Sequence, residues 1–223
     1  TATGTVVVDD IADADSLTSL TVTAVGGNVT LGEIGGTASA ASGTAEALAA
    51  ITINATAAAD VIFAEIFADA TNSTTDNAMV MTLSANGAGS SVLLDDVDNQ
   101  FGTITANISG DQEVSFTNGS GTLTADDVTI TRSGSGATTI GAIAATDALN
   151  VTHDGTGTLT VTTSTAGGDT VATASSTGVL AFTSASTTNV TLTGGSGNDT
   201  LVASGTTAAG STHTLSGGAG DDT

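Results

Sequence analysis

The chain predicts an all-β protein, a β-solenoid (parallel β-helix or β-roll) of short rungs. Three observations carry that reading. Its 223 residues include no Pro, so every residue keeps its backbone N–H and no ring interrupts a ladder. Short β-rich runs recur along its whole length, and many alternate an apolar residue with Thr or Asn, the period-2 mark of a half-buried strand. Large rings are nearly missing, with five Phe and no Trp or Tyr. A compact globule of this size fills its core with several of them, whereas thin repeated rungs of small β-branched residues do not need them.

The runs are read in order. "LTVTA" begins at Leu20, "VTLGEI" at Val29, "ITINA" at Ile51, "VIFAEI" at Val61 and "MVMTLSA" at Met79. "SVLLDDV" follows at Ser91, "TITANI" at Thr103, "EVSFT" at Glu113, "VTIT" at Val128 and "TTIGAI" at Thr138. "LNVTH" at Leu149, "LTVTT" at Leu159, "VLAFTS" at Val179 and "NVTLTG" at Asn189 complete the series. Clusters of Gly, Asn, Asp and Ser between them mark turns. Two stretches have helical character: the Ala-rich Thr37–Ala50, weakened by Gly43, and "ADVIFAEIFADA", a short amphipathic helix or a strand with a tail.

At roughly 20 residues per two-strand coil, about ten coils would fit. An antiparallel β-sandwich is the alternative for part of the chain, since Asp154-Gly155 between two alternating runs is also a hairpin signal. The expected organisation is a β-solenoid body over 1–190 and a distinct calcium-binding segment that starts at 191.

Charge narrows the partners. One Arg, no Lys and 23 acidic residues give a formal net charge of -22. Nucleic acid is not expected, because phosphate neutralisation needs Lys and Arg, and anionic membrane surfaces are disfavoured too. Cations are favoured. No apolar run approaches the ~18 residues of a membrane span, so membrane insertion is not expected. There is no Cys, hence no disulfide framework.

The tail carries the most specific pattern. Gly194-Gly195-Ser196-Gly197-Asn198-Asp199 and Gly217-Gly218-Ala219-Gly220-Asp221-Asp222 repeat one glycine-rich hexad. Leu192 and Leu201 flank the first and Leu215 precedes the second. Leu192 to Leu201 spans nine residues and Leu201 to Leu215 nine plus five, so the tail reads as a nonapeptide repeat with an insertion in "ASGTTAAGSTH". "GGSGNDTLV" and "GGAGDDT" resemble the RTX (repeats-in-toxin) pattern G-G-x-G-x-D-x-U-x, a calcium-binding β-helix repeat. Calcium wants six to eight hard oxygens at about 2.3–2.6 Å, and glycines let backbone carbonyls turn toward an ion. The resemblance implies that Gly194, Gly195, Gly197, Asp199, Gly217, Gly218, Gly220 and Asp222 hold Ca2+ between two loops on one side of the solenoid. Asn198 and Asp221 hold the variable fifth position and are weaker candidates. The insertion must bulge at the opposite turn if the two loops are to stack.

Other acidic clusters read first as solvated turns: Asp9, Asp10, Asp13 and Asp15; Asp126 and Asp127; and Asp95, Asp96 and Asp98, the best of them as isolated calcium ligands. "DVDNQF" imitates the opening of an EF-hand loop, but Phe101 stands where Gly is needed and Asn107 where the bidentate Glu belongs. Neither His153 nor His213 belongs to HExxH, no G-x-S-x-G occurs, and with no Lys there is no P-loop. Catalysis is not expected.

The RTX resemblance, with the Thr/Ala/Gly/Ser/Val-rich body, extends to Caulobacter-type bacterial S-layer proteins. It implies a secreted, extracellular, calcium-dependent structural protein, exported unfolded by type I secretion and folded by calcium outside the cell. Self-association into a lattice or fibre is the expected partnership, with cell-surface polysaccharide as a further candidate partner. A segment of an RTX adhesin or matrix fibre, or the spacer of an RTX toxin or protease, is the alternative. The missing initiator Met and the motif that stops after Thr223 suggest a section of a longer protein.

Overall fold

The computed structural model describes residues 4–11, 17–35, 48–67, 77–116 and 121–223. The strands are β1 (Val6–Val8), β2 (Ser19–Val25), β3 (Val29–Leu31), β4 (Ala50–Thr56), β5 (Asp60–Phe67) and β6 (Asn77–Asn86). They continue with β7 (Ser91–Gly110), β8 (Glu113–Phe116), β9 (Thr122–Arg132), β10 (Thr138–Ala145), β11 (Leu149–His153) and β12 (Thr158–Ala166). The last are β13 (Thr170–Ala174), β14 (Val179–Ser184), β15 (Val190–Thr193), β16 (Thr200–Ala203) and β17 (His213–Ser216). Every pairing between them is parallel, and a typical strand pairs with the one two places along the chain. The fold is a β-solenoid of about 8 turns with no helix among the described residues.

Alternation fixes which residues stack inside. Leu31, Phe63, Leu94, Phe116, Ile140, Val161, Phe182 and Leu201 align coil on coil as one buried column. Ile51, Met81, Ala106, Ile130, Val151, Ala172 and Leu192 form a second. A third passes through Ile34, Ile66, Val97, Leu123 and Ile143. With rungs about 4.8 Å apart, each side chain meets its counterparts above and below. Burial of roughly 25 cal/mol per Å2 of apolar surface therefore accumulates without large rings. That is why five Phe suffice.

Two expectations are corrected, the antiparallel alternative and the number of coils. The antiparallel alternative fails around Asp154-Gly155: β11 pairs with β9 and β13, β12 with β10 and β14, all in parallel, so that Asp-Gly is a solenoid corner. "VIFAEI" is strand β5 rather than a helix, because Val61, Phe63 and Ile66 fall on inward positions of three stacked columns. The turns number about 8 rather than ten, because several coils in the N-terminal half span 30 to 32 residues, whereas coils of 19 to 21 occur only further along. "DVDNQF" lies within strand β7, an extended geometry that no calcium-binding EF-hand loop adopts. The helical candidate Thr37–Ala50 lies largely outside the described residues; Leu48 and Ala49 are irregular and Ala50 opens β4.

Candidate metal centre

Two inward positions flank one corner of each coil, one closing a strand and one opening the next. On successive coils they are Ile108 and Val114, Arg132 and Thr138, His153 and Leu159, Ala174 and Leu180. Asp199 continues the second column after Leu180, and Gly194 follows Thr193, the partner of Thr173. Each hexad thus writes Gly on one side of the corner and Asp on the other. The pairing has a steric cause. A Cβ on Gly194 would stand 2.4 Å from Asp199 Oδ2 and 2.0 Å from the Gly217 carbonyl oxygen, so the carboxylate and a carbonyl of the next coil occupy the space a side chain would fill. At Gly217 a Cβ would meet Asp222 Oδ2 at 2.3 Å.

The two hexads stack on the same side of the solenoid. The Ala219 amide donates to the Gly195 carbonyl, the Thr223 amide to the Asp199 carbonyl, and the Asp221 amide to Asn198 Oδ1 (3.1 Å). The added length falls at the opposite turn: β14 and β15 are joined by 185–189, β16 and β17 by 204–212.

Asp199 is 1% exposed. Its Oδ1 accepts from the Leu180 amide (2.7 Å) and its Oδ2 from the Gly195 amide (2.8 Å). Asp222, exposed, repeats the first of these bonds one coil later, accepting from the Asp199 amide (2.9 Å). A cavity of about 150 Å3 lined by Leu201, Leu215, Gly217, Asp222 and Thr223 opens beside it.

The donor set suits calcium in kind. The would-be Cβ positions of Gly194, Gly217, Gly218 and Gly220 are each crowded by oxygens: carboxylate Oδ2 atoms of Asp199 and Asp222, and carbonyls of Gly217, Gly195, Gly194 and Gly197. All are hard ligands. Gly218 and Gly220 have φ of 96° and 131°, which only Gly adopts without strain. Carboxylates are few, and among the described residues no group of three His, Cys, Asp or Glu gathers. Carbonyls would carry much of the coordination. Asn198 and Asp221 bond to each other across the coils, side-chain oxygen to amide.

Asp95, Asp96 and Asp98 lie on β7, away from the hexads. Asp95 Oδ1 accepts from the Gly121 amide (3.2 Å) and Asp96 Oδ1 from the Thr122 amide (2.7 Å). Asp10 caps the Glu33 amide and Asp127 the Ala148 amide in the same way. Many acids therefore serve as caps between coils, a use of Asp that spacing alone does not reveal. Asp13 and Asp15 lie outside the described residues. Glu33 precedes Ile34, Glu65 precedes Ile66 and Asp96 precedes Val97 on three aligned coils. Burial, then the charges of Glu33, Asp96, Asp98 and Asp95, push the Glu65 carboxyl above its usual 4.5.

Acids fall both at corners and on strands, yet two outer columns carry none. Thr21, Thr52, Thr82 and Asn107 align on successive coils, and the column continues through Thr131, Thr152, Thr173 and Thr193. The column two residues earlier, which includes Val80, Thr105, Thr129 and Asn150, is likewise uncharged and open to solvent.

Reasoning from spacing missed how far the glycine corner extends. Gly136, Gly157, Gly178, Gly197 and Gly220 form one stack, each with its would-be Cβ 1.9–2.5 Å from a carbonyl of the preceding coil. "SGSGAT", "DGTGTL" and "SSTGVL" are thus the same corner as "GGSGND", with Thr138, Leu159 or Leu180 where Asp199 stands. The recurring Gly-x-Gly was the available signal.

No family model, curated protein or solved structure matches the chain. The β-solenoid is established by its own geometry.

Proposed function

We propose that the chain is a calcium-dependent structural protein of the bacterial cell surface, non-catalytic, an S-layer lattice subunit or part of one. The observation that supports this reading is the pair of stacked Gly–Asp corners at 194–199 and 217–222, where carboxylate and carbonyl oxygens crowd the glycines and Asp222 accepts from the Asp199 amide of the adjacent coil. Calcium bound there would draw on Asp199, Asp222 and the glycine carbonyls, neutralising charge on a chain of net charge -22. Binding that requires the stacked coils is coupled to folding. At ten times the dissociation constant each ion would add about 1.4 kcal/mol. In calcium-poor cytosol the tail would lack this support, which suits export before folding.

The uncharged hydroxyl columns favour assembly. Strongly acidic molecules repel one another, but a regular face free of charge lets copies approach. Purified protein in millimolar calcium should form sheets or fibres in the electron microscope, and chelator should dissolve them. Sheets favour the lattice subunit, and fibres the adhesin or matrix segment. A protein that stays monomeric in calcium would rule out the assembly function.

A further inference from the structure

We propose that the solenoid interior binds one small monoatomic anion, a halide such as chloride, at the corner formed by Arg132, Thr138 and His153. Arg132 is the chain's one Arg, with no Lys beside it in composition, yet it is 0% exposed and sits in an apolar column between Ile108 and His153. A guanidinium stays protonated at any ordinary pH, and a buried charge without a counter-charge is among the costliest features a fold can carry.

Its hydrogen bonding is incomplete. Nη2 donates to the Gly136 carbonyl, while Nε and Nη1 are buried without a partner. Among the described residues no ion pair to Asp or Glu accompanies it. Burial alone pulls the guanidinium below its usual value, with no carboxylate offsetting it. Thr138, 1% exposed, opens the next strand of the same corner, and its Oγ1 is also buried without a partner. His153, 0% exposed, aligns with Arg132 one coil later. Its Nε2–H donates to the Gly157 carbonyl (3.0 Å), so its Nδ1 is an acceptor and His153 walls the corner without binding the anion.

Arg132 and Thr138 thus bring three unpartnered donor atoms to one interior corner, two of them cationic N–H groups. Buried polar groups are almost always satisfied by protein, water or an ion. Water would satisfy geometry and leave the charge. A halide takes several N–H and O–H donors at once, needs no fixed orientation and supplies the missing negative charge. On the adjacent coils neither flanking column provides a carboxylate, since Ile108, Val114 and Leu159 surround the group, and Asp199 comes only three coils further along the second column.

The test uses the full chain at fixed calcium. Crystals soaked in sodium bromide should show an anomalous peak within hydrogen-bond reach of Arg132 Nε or Nη1 and Thr138 Oγ1. In solution, replacing gluconate by bromide at constant ionic strength should raise the melting temperature saturably, by about 3 °C at ten times the dissociation constant. R132M, an apolar side chain of similar length, should melt without regard to bromide. T138V, which keeps the shape, should weaken the response should R132M fail to fold. An ordered water with no anomalous signal, or the same bromide response in R132M or T138V as in wild type, overturns the proposal.

Discussion

The carboxylate of Asp222 accepts a hydrogen bond from the backbone amide of Asp199 (2.9 Å), its counterpart 23 residues earlier, just as Asp199 accepts from the amide of Leu180 (2.7 Å). Each motif Asp reaches back one coil, so the two share one geometry but not one environment. Asp199 is closed in by the coil above, while Asp222 is exposed.

That difference should separate folding from the proposed metal binding. Asp199→Ala leaves the Leu180 and Gly195 amides without acceptors and should cost about 3 kcal/mol even in excess chelator. Asp222→Ala should cost under about 1 kcal/mol in chelator and remove the stabilisation that calcium adds. Urea unfolding with and without calcium reads both. Equal losses for the two variants in chelator would contradict the assignment.

The glycine stack should be structural well upstream of the hexads. Gly157→Ala would put a Cβ 1.9 Å from the Gly136 carbonyl, backbone against backbone, and should cost about 1–3 kcal/mol, equally in calcium and in chelator. Gly194→Ala should cost as much and abolish the calcium response as well, because its Cβ would displace Asp199 Oδ2. Gly4→Ala, with nothing within 4 Å, serves as the neutral control in the same melts.

Most strands were legible because alternation survives in single runs such as "LTVTA" and "LTVTT". "TVATA" in β13 was not, since Ala on two positions dilutes the apolar signal, and β16 and β17 are each only 4 residues long. The stacking of the two hexads was legible from Leu192, Leu201 and Leu215. The role of Asp199 as acceptor for Leu180 was not, because it depends on a coil 19 residues away. Nor was the burial of Arg132: a lone Arg after "VTIT" reads as a strand end facing water, and only the register with Ile108 and His153 places it inside.

Glu65 should be a source of strain at neutral pH. Its carboxyl titrates above the usual 4.5 in the fold, so the native state binds that proton more tightly than the unfolded chain. Stability then falls as pH rises from 4.5 through the folded value. Glu65→Gln should stabilise by ~0.5 kcal/mol at pH 7, a figure discounted for solvent screening, and the gain should vanish below pH 4.5. Melts of both proteins across that range check the sign.

His153 carries the opposite slope. Burial, with Arg132 beside it, holds the imidazole below its usual 6.5, so the unfolded state binds the extra proton. Its contribution is complete above pH 6.5 and is lost as pH falls from there toward the folded value. His153→Leu, which suits the apolar column, should flatten that part of the stability profile. An unchanged slope would show that other groups govern it.

The most direct test of the calcium assignment is a long-wavelength anomalous difference map from crystals grown in millimolar calcium. The account predicts a peak between residues 194–199 and 217–222, with Asp199 or Asp222 and glycine carbonyls at about 2.3–2.6 Å. A map with no peak there, and with both carboxylates still engaged only by backbone amides, would contradict it.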